Sequence, residues 1–314
     1  MRLSDRIGRR MKLQDLHVLM TVVQSGSMGK AAQRLNTSQP NISRSIADLE
    51  QALGVRLLDR HRQGIAPTDY GRALLEGGMA VFDELRQTVK NIEFLADPTT
   101  GQVRIGTIPP LATSVVSAAV EEMSRRHPRI TFDLLTAQTE VLHRELHDRN
   151  IDLVIARRFG ALADERLEFE PLFDDTYAVV TGTHNPWARR RKVDLRDLMG
   201  EPWVLPRRES VPGLILANAT RAAGLGYPRA AIVTDSAEMR INLLATGRFF
   251  TIFSTSTLRL SARRDEFRAL PTRLPMSRAP VGVVTLKART LGPAVQLFID
   301  QARQIARPLA RERR

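Results

Sequence analysis

The chain has no cysteine among its 314 residues. Disulfides, thiolate zinc sites, iron–sulfur clusters and cysteine nucleophiles are excluded together. No apolar run approaches the roughly 18 residues of a membrane span. The basic segment 1–10 lacks the apolar stretch that would make it a secretory signal. A cytoplasmic protein with no membrane partner is therefore expected. There is no G-x-S-x-G elbow, no G-x-G-x-x-G turn, no solenoid repeat and no low-complexity tract. Acidic residues are scarce: Asp+Glu number 34 against 47 Lys+Arg, a net charge of +13. A chain this basic points to an anionic partner. Hydrophobic residues at 43% and charged residues at 26% suit a soluble globular protein of about two domains.

The N-terminal text is helical. Leu16, Leu19, Met20, Val22 and Val23 recur at helical spacing and Gly26 ends the run. Ser27 is placed to cap a second helix over 28–35. Ser38-Gln39-Pro40 opens a third helix to about Leu53, with Ile42, Ile46, Leu49 and Leu53 inward and Gly54 as its C-cap. Residues 55–67 read as a small β-hairpin, and Thr68 caps a fourth helix running to about Leu95. Leu74, Val81, Leu85, Ile92 and Leu95, with Gly78 and Thr88 as weaker members, form a heptad stripe fit for a second helix. At Gly77 and Gly78 a kink or a close backbone is expected. Residues 97–101 read as a hinge.

The rhythm then changes. Strands are expected over 103–108, 130–135, 151–156, 203–206, 231–234, 249–253 and 281–286. Helices are expected over 112–126, 139–149, 214–223, 236–245 and 292–307. Alternation of this kind predicts two β/α halves around a parallel sheet.

Helix, short turn, helix over 28–53 suits DNA. Ser38, Gln39, Asn41, Ser43 and Arg44 occupy the opening turns of the third helix, away from Ile42 and Ile46. Short polar groups at a helix N-terminus reach base edges while amides face phosphates. Arg44 matches guanine and Gln39 matches adenine. Residues 1–66 hold eleven Lys/Arg and five Asp/Glu. Arg34, Arg60, His61 and Arg62 flank the helix as phosphate contacts. Pattern alone leaves open a helical bundle with a solvated basic face.

The run Lys30-Ala31-Ala32-Gln33-Arg34-Leu35-Asn36-Thr37-Ser38-Gln39-Pro40-Asn41-Ile42-Ser43-Arg44-Ser45-Ile46, with Asp15-Leu16 and Gly26-Ser27 before it and Leu49-Glu50, 53–60, Pro67-Thr68 and Gly71 after it, resembles the winged helix of LysR-type transcriptional regulators. The resemblance spans nearly the whole chain. It implies a winged helix-turn-helix (12–69), a linker and dimerisation helix (70–97) and a periplasmic-binding-protein-like effector domain of two β/α subdomains (101–307). It implies a sequence-specific transcription factor, not an enzyme, that assembles as a homodimer or a homotetramer of paired dimers. The expected partners are double-stranded promoter DNA, a small-molecule effector and RNA polymerase. The expected DNA contacts are Ser27, Lys30, Arg34, Thr37, Ser38, Gln39, Pro40, Asn41, Ser43, Arg44, Arg60 and Arg62. The family pattern begins near Met11, so residues 1–10 are either an extra basic arm or lie upstream of the true start.

Ligands of such α/β pairs bind at the carboxyl ends of the strands. That rule selects Thr107, Pro109, Pro110 and Leu111, with free amides near 112–114, then Thr139 and Arg157. From the other half it selects Trp203, Asp235 and Phe250. Arg157 has Asp152 or Glu165 as alternative partners. Many relatives carry Ser or Thr where this chain has Pro109-Pro110. That departure removes hydroxyl donors, counts against a carboxylate ligand and favours a sugar or a neutral aromatic as effector, with an aromatic acid as the alternative and no cofactor.

Two other motifs carry no chemistry. His143 and His147 have the spacing of a metal pair, but no third ligand accompanies them, so a solvated helix face is expected. Gly26-Ser27-Met28-Gly29-Lys30-Ala31 lacks the first glycine and the Ser/Thr of a phosphate loop. Two rival functions remain: a non-specific architectural DNA-binding protein, and an enzyme or solute-binding protein with an added helical N-terminus.

Overall fold

The structure is a computed structural model that describes residues 11–61, 64–158, 164–274 and 278–310. The chain groups into two units, Met1–Val89 and Lys90–Arg314.

The first unit opens with α1 (Leu13–Ser25), which ends on Gly26 in the left-handed conformation. Ser27 caps α2 (Met28–Arg34) by accepting the Lys30 N–H at 3.1 Å. A tight turn with Asn36 at φ 49° leads to α3 (Gln39–Leu53). The expected hairpin is β1 (Leu58–His61) against β2 (Gly64–Pro67), antiparallel. Leu19, Val22, Ala31, Ile42, Ile46, Leu49 and Leu57 form the core of the three helices and the wing. The wing is tied down at two points. Ile65 N–H donates to Gly26 O at 3.2 Å, and the Glu50 carboxylate accepts the amides of Leu57 and Leu58 at 2.7 and 3.3 Å. Burying those amides against a carboxylate fixes the wing to the third helix.

Thr68 starts α4 (Asp69–Ala96), its hydroxyl accepting the Gly71 N–H at 3.0 Å. The helix runs unbroken past Gly77 and Gly78. What comes close at Gly78 is a side chain: a Cβ there would lie 2.9 Å from Leu16 Cδ1. The expected stripe therefore divides. Leu74 packs into the first unit's core and Gly78 is buried on Leu16. Val81, Leu85, Val89, Ile92 and Leu95 are exposed.

In the second unit the five-residue hinge is shorter than expected. The turn is pinned, because the Asp97 carboxylate accepts the Thr99 amide and hydroxyl at 3.1 and 2.5 Å and pairs with Arg129 at 2.9 Å. Those hydrogen bonds from Thr99, then Arg129, hold the Asp97 carboxyl below its ordinary range. Strand β3 (Thr100–Thr107) begins at once. It passes into α5 (Pro109–Leu111), a π-helical turn (Ala112–Val116) and α6 (Ser117–Arg126). Then come β4 (Arg129–Thr136), α7 (Thr139–His147), β5 (Leu153–Arg157) and β6 (Leu167–Gly182). The rest is β7 (Trp203–Leu205), α8 (Val211–Ala222), β8 (Ala230–Val233), α9 (Ala237–Ala245), β9 (Phe250–Ser254), α10 (Thr255–Leu260), β10 (Phe267–Ala269), β11 (Arg278–Leu286) and α11 (Pro293–Ala310).

The strand order is β4-β3-β5-β11-β6-β9-β7-β8, with β10 on β6. β4, β3 and β5 are parallel, as are β9, β7 and β8. The sheet is nevertheless mixed, not wholly parallel. β11 runs against β5 and β6, and β6 runs against β9. The chain leaves the first subdomain along β6 and returns along β11, so each half receives one reversed strand. Both subdomains have their own cores: Val103, Ile105, Leu153 and Phe298 in the first, and Trp203, Leu205, Phe250 and Ile252 in the second.

Candidate nucleic-acid interface and effector crevice

The recognition face is an exposed row on α3. Pro40 stands in the first turn, where its missing N–H costs no hydrogen bond. Thr37, Ser38, Gln39, Pro40, Asn41 and Arg44 are exposed and Ser43 is half-buried, while Ile42, Ile46 and Leu49 on the other side are buried. The Ser38 hydroxyl makes no capping bond, which leaves the N-terminal amides of the helix uncovered by it. Asn41 Nδ2 donates to Thr37 Oγ1 at 3.2 Å. Arg34 Nη1 donates to Gln24 Oε1 at 3.3 Å, which holds its guanidinium beside the turn. Lys30 is exposed and Ser27 is half-buried. Arg62 and the side chain of Arg60 lie outside the described residues. Glu50 was not singled out from its chemistry, because with Asp48 two residues before it nothing in the sequence marks it as the carboxylate that holds the wing.

The second candidate site lies at the carboxyl ends of the strands, where the two subdomains meet. Its centre is a buried polar network. Arg157 Nη2, at the end of β5, donates to Asp175 Oδ2 on β6 at 2.7 Å and to Ser254 Oγ at the end of β9 at 2.8 Å. Arg157 therefore pairs with Asp175, not with Asp152 or Glu165. Asp152 is taken by Arg104 and Arg289. Asp175 is fully engaged, for it also accepts the Ser256 amide at 3.0 Å, the Ser256 hydroxyl at 2.6 Å and the Thr255 hydroxyl at 3.3 Å. Thr257 Oγ1 reaches the Pro110 carbonyl at 3.4 Å, so α10 closes onto the loop after β3. The Tyr177 ring lies 5.5 Å from the Arg157 guanidinium carbon. Burial pushes the Tyr177 phenol above its ordinary pKa, against the pull of Arg157.

Several expected effector contacts are placed elsewhere. Trp203 and Phe250 are fully buried core residues with rings 5.9 Å apart. The Trp203 indole N–H donates to Leu198 O at 2.8 Å. Leu111 is likewise core. The Thr107 hydroxyl is buried and donates to Ile155 O at 2.9 Å. Asp235 is exposed and bridges Arg207 at 2.7 Å. The free amides expected near 112–114 are consumed at their start. Pro109 and Pro110 have no N–H, and the next two amides, of Leu111 and Ala112, both donate to Ile108 O. Thr139 is the first helical residue of α7 instead of its cap, which is Gln138. It is half-buried, Pro109 is exposed and Pro110 is half-buried. Of the metal-spaced pair, His147 sits 2.6 Å from Asp164, and no group of three metal ligands occurs among the described residues.

Sequence reasoning missed Asp175, Tyr177, Ser254, Ser256 and Arg240. The one readable signal was Arg240. It falls on the buried stripe of α9 with Ile241 and Leu244, where a charge needs a reason.

Residues 13–72 match the model of the bacterial regulatory helix-turn-helix protein, lysR family. Residues 96–307 match that of the LysR substrate binding domain. The chain is 24% identical to the HTH-type transcriptional regulator GbpR of Azospirillum brasilense, over 94% of this chain and 86% of that protein. It is 26% identical to the regulator PcaQ of Agrobacterium fabrum, over 90% and 91%. Full-length OxyR from Pseudomonas aeruginosa has the same fold, with a TM-score of 0.65 at 19% identity over 97% of this chain and 99% of that one. So does CbnR in complex with its target DNA, with a TM-score of 0.59 at 21% identity over 94% and 100%.

Proposed function

The chain belongs to the LysR family of DNA-binding transcription regulators, and from that premise we propose which of its residues read DNA and which receive the effector. Members of the family are not enzymes; they bind promoter DNA and small-molecule effectors and they oligomerise. Gln39, Asn41 and Arg44 read base edges in the major groove. Ser27, Lys30, Arg34, Thr37, Ser38, Pro40 and Ser43 form the surrounding phosphate-facing surface, and Arg60 and Arg62 act from the wing. The observation that carries this reading is the division of α3: six polar or Pro side chains from Thr37 to Arg44 are exposed over a buried Ile42, Ile46, Leu49 face.

The exposed stripe from Val81 to Leu95 joins two copies, and two such dimers form a tetramer that engages RNA polymerase. Thr139, Pro109, Pro110 and Arg157 line the effector crevice. The effector acts only as far as it binds one quaternary arrangement better than the other.

Footprinting over promoters near the gene at moderate salt tests the reading. A discrete protected site is expected, and uniform protection would favour an architectural protein. Arg44→Ala should cost about 1–3 kcal/mol at one operator position and less elsewhere. Thr139→Val should weaken effector response at unchanged operator affinity. An unchanged response removes Thr139 from the crevice.

A further inference from the structure

The side of α4 that faces away from α1 carries a buried charge. Asp83 is 0% and Gln87 2% exposed. Leu16 of α1 rests on Gly78, and the His17 ring stands 5.6 Å from that of Phe82. At about 100° per residue, Asp83 and Gln87 lie roughly 140° and 180° round the helix from Gly78. The exposed Val81, Leu85 and Val89 lie within about 60° of Gly78. Neither α1 nor a second copy seated on that stripe therefore covers Asp83 and Gln87. Asp83 pairs with Arg86 at 3.7 Å, and Arg86 is itself largely exposed. Gln87 Oε1 is buried with no hydrogen-bond partner among the described residues. Glu76 and the half-buried Ala80 continue the same line towards the start of the helix. The face is rich in acceptors, and buried acceptors are costly unless donors meet them.

The chain supplies donors of the right charge at the right place. The ten residues before Met11 hold Arg2, Arg6, Arg9 and Arg10 against one acid, Asp5. Lys12 is the N-cap of α1. It stands about 7.5 Å along the helix axis from His17, and the next residue of α4 after His17's partner Phe82 is Asp83. Ten residues reach about 15 Å as a helix and over ~30 Å extended. Gln87 is only about 7.5 Å along α4 from Phe82, so the whole face is within reach.

We propose that residues 1–10 dock on the face of α4 that runs from Glu76 to Gln87, their guanidiniums donating to Asp83 and Gln87. The basic segment is then a strap on the side of the helix that a partner copy leaves open. Its charge is neutralised on α4, not by phosphates. The proposal is independent of which residues read bases and of where the effector sits.

Because the chain has no cysteine, a thiol at residue 87 reports whether that position is covered. Gln87→Cys is made in the full-length chain and in the chain begun at Met11. It is also made in a full-length chain carrying Arg2→Gln, Arg6→Gln, Arg9→Gln and Arg10→Gln. Ala47→Cys, on the exposed side of α3, gives the unhindered rate of reaction with a maleimide. In the full-length chain the thiol at 87 should react at least ~10-fold more slowly than the one at 47. Both alterations of residues 1–10 should bring it within about twofold of the unhindered rate. Equal protection in the chain begun at Met11 overturns the proposal, as does a fast thiol at 87 in the full-length chain. Protection that fades on dilution from dimer to monomer also overturns it and assigns the face to a second copy. A further readout needs no cysteine. Arginines held on phosphates would lower the salt slope of operator binding by about 3–4 when all four become Gln. A slope unchanged to within about one is expected, and the larger loss overturns the proposal by moving the segment to DNA.

Discussion

Replacing Gly71 by alanine should loosen the DNA-binding unit although alanine is the better helix former. Gly71 sits in the first turn of α4 with its amide on Thr68 Oγ1. A Cβ built there falls onto the carbonyl oxygen of Leu57, 3.1 Å from its carbonyl carbon and 3.2 Å from Pro67 Cβ. Leu57 cannot retreat. Its amide donates to Glu50 at 2.7 Å, and its carbonyl accepts the Thr68 amide at 2.9 Å. The added methyl group must therefore lift α4 off the wing or break those bonds. Helix propensity favours alanine by about 1 kcal/mol. Overpacking against fixed backbone costs about 1–3 kcal/mol, and each strained hydrogen bond adds about 1 kcal/mol. A net loss of roughly 1–3 kcal/mol lowers the melting point of a unit this size by about 5–15 °C. Gly77→Ala is the matched control, for nothing lies within 4 Å of its Cβ, and it should gain up to about 1 kcal/mol. Calorimetric melting of both variants, with operator titration at 25 °C, decides the matter. If Gly71→Ala melts with or above wild type, the Leu57 carbonyl is not what sets the start of α4.

Leu85→Glu, on the exposed part of α4, should shift sedimentation from dimer or tetramer towards monomer. It should also weaken operator binding, since burying one leucine is worth about 1.5–3 kcal/mol; unchanged sedimentation would place the assembly surface elsewhere. Glu50→Gln keeps an acceptor but loses the charge on the Leu57 and Leu58 amides. Its cost should be about 1 kcal/mol in urea unfolding, and a neutral result would detach the wing from α3. Burial raises the phenols of Tyr177 and Tyr227 above their ordinary value of 10.0. The native state then holds those protons more tightly than the unfolded chain. Stability is full below pH 10 and falls as pH climbs past it. A denaturation midpoint flat from about pH 9 to pH 11 would contradict this.

The DNA-binding half was legible because its information is local. Ile42, Ile46 and Leu49 mark one face by spacing alone, and Ser27, Gly26, Gly54 and Thr68 cap helices at the residues expected. The stripe on α4 was legible as a stripe, but not where it turns from the protein's own core to solvent, because that depends on Leu16 packing on Gly78. β6 was missed since Pro171, Asp174 and Asp175 interrupt its alternation, and only pairing with β11 and β9 makes it a strand. The crevice was the least legible part. Arg157 meets residues 18 and 97 positions away, and no periodicity carries such a pairing. Trp203 and Phe250 were read as rim residues, yet they open β7 and β9, at the amino ends of those strands, and fill the core.

The return of the chain along β11 has a consequence for the order in which the molecule is made. β5 is buried over its whole length, and one of its edges is β11, which begins at Arg278. Phe298 of α11 completes the same core. About 120 residues separate the end of β5 from that partner. At the usual pace of synthesis the ribosome needs roughly 6–24 seconds to supply them. The helix-turn-helix can finish while still tethered, but the first subdomain waits with an apolar strand edge open until β11 has emerged.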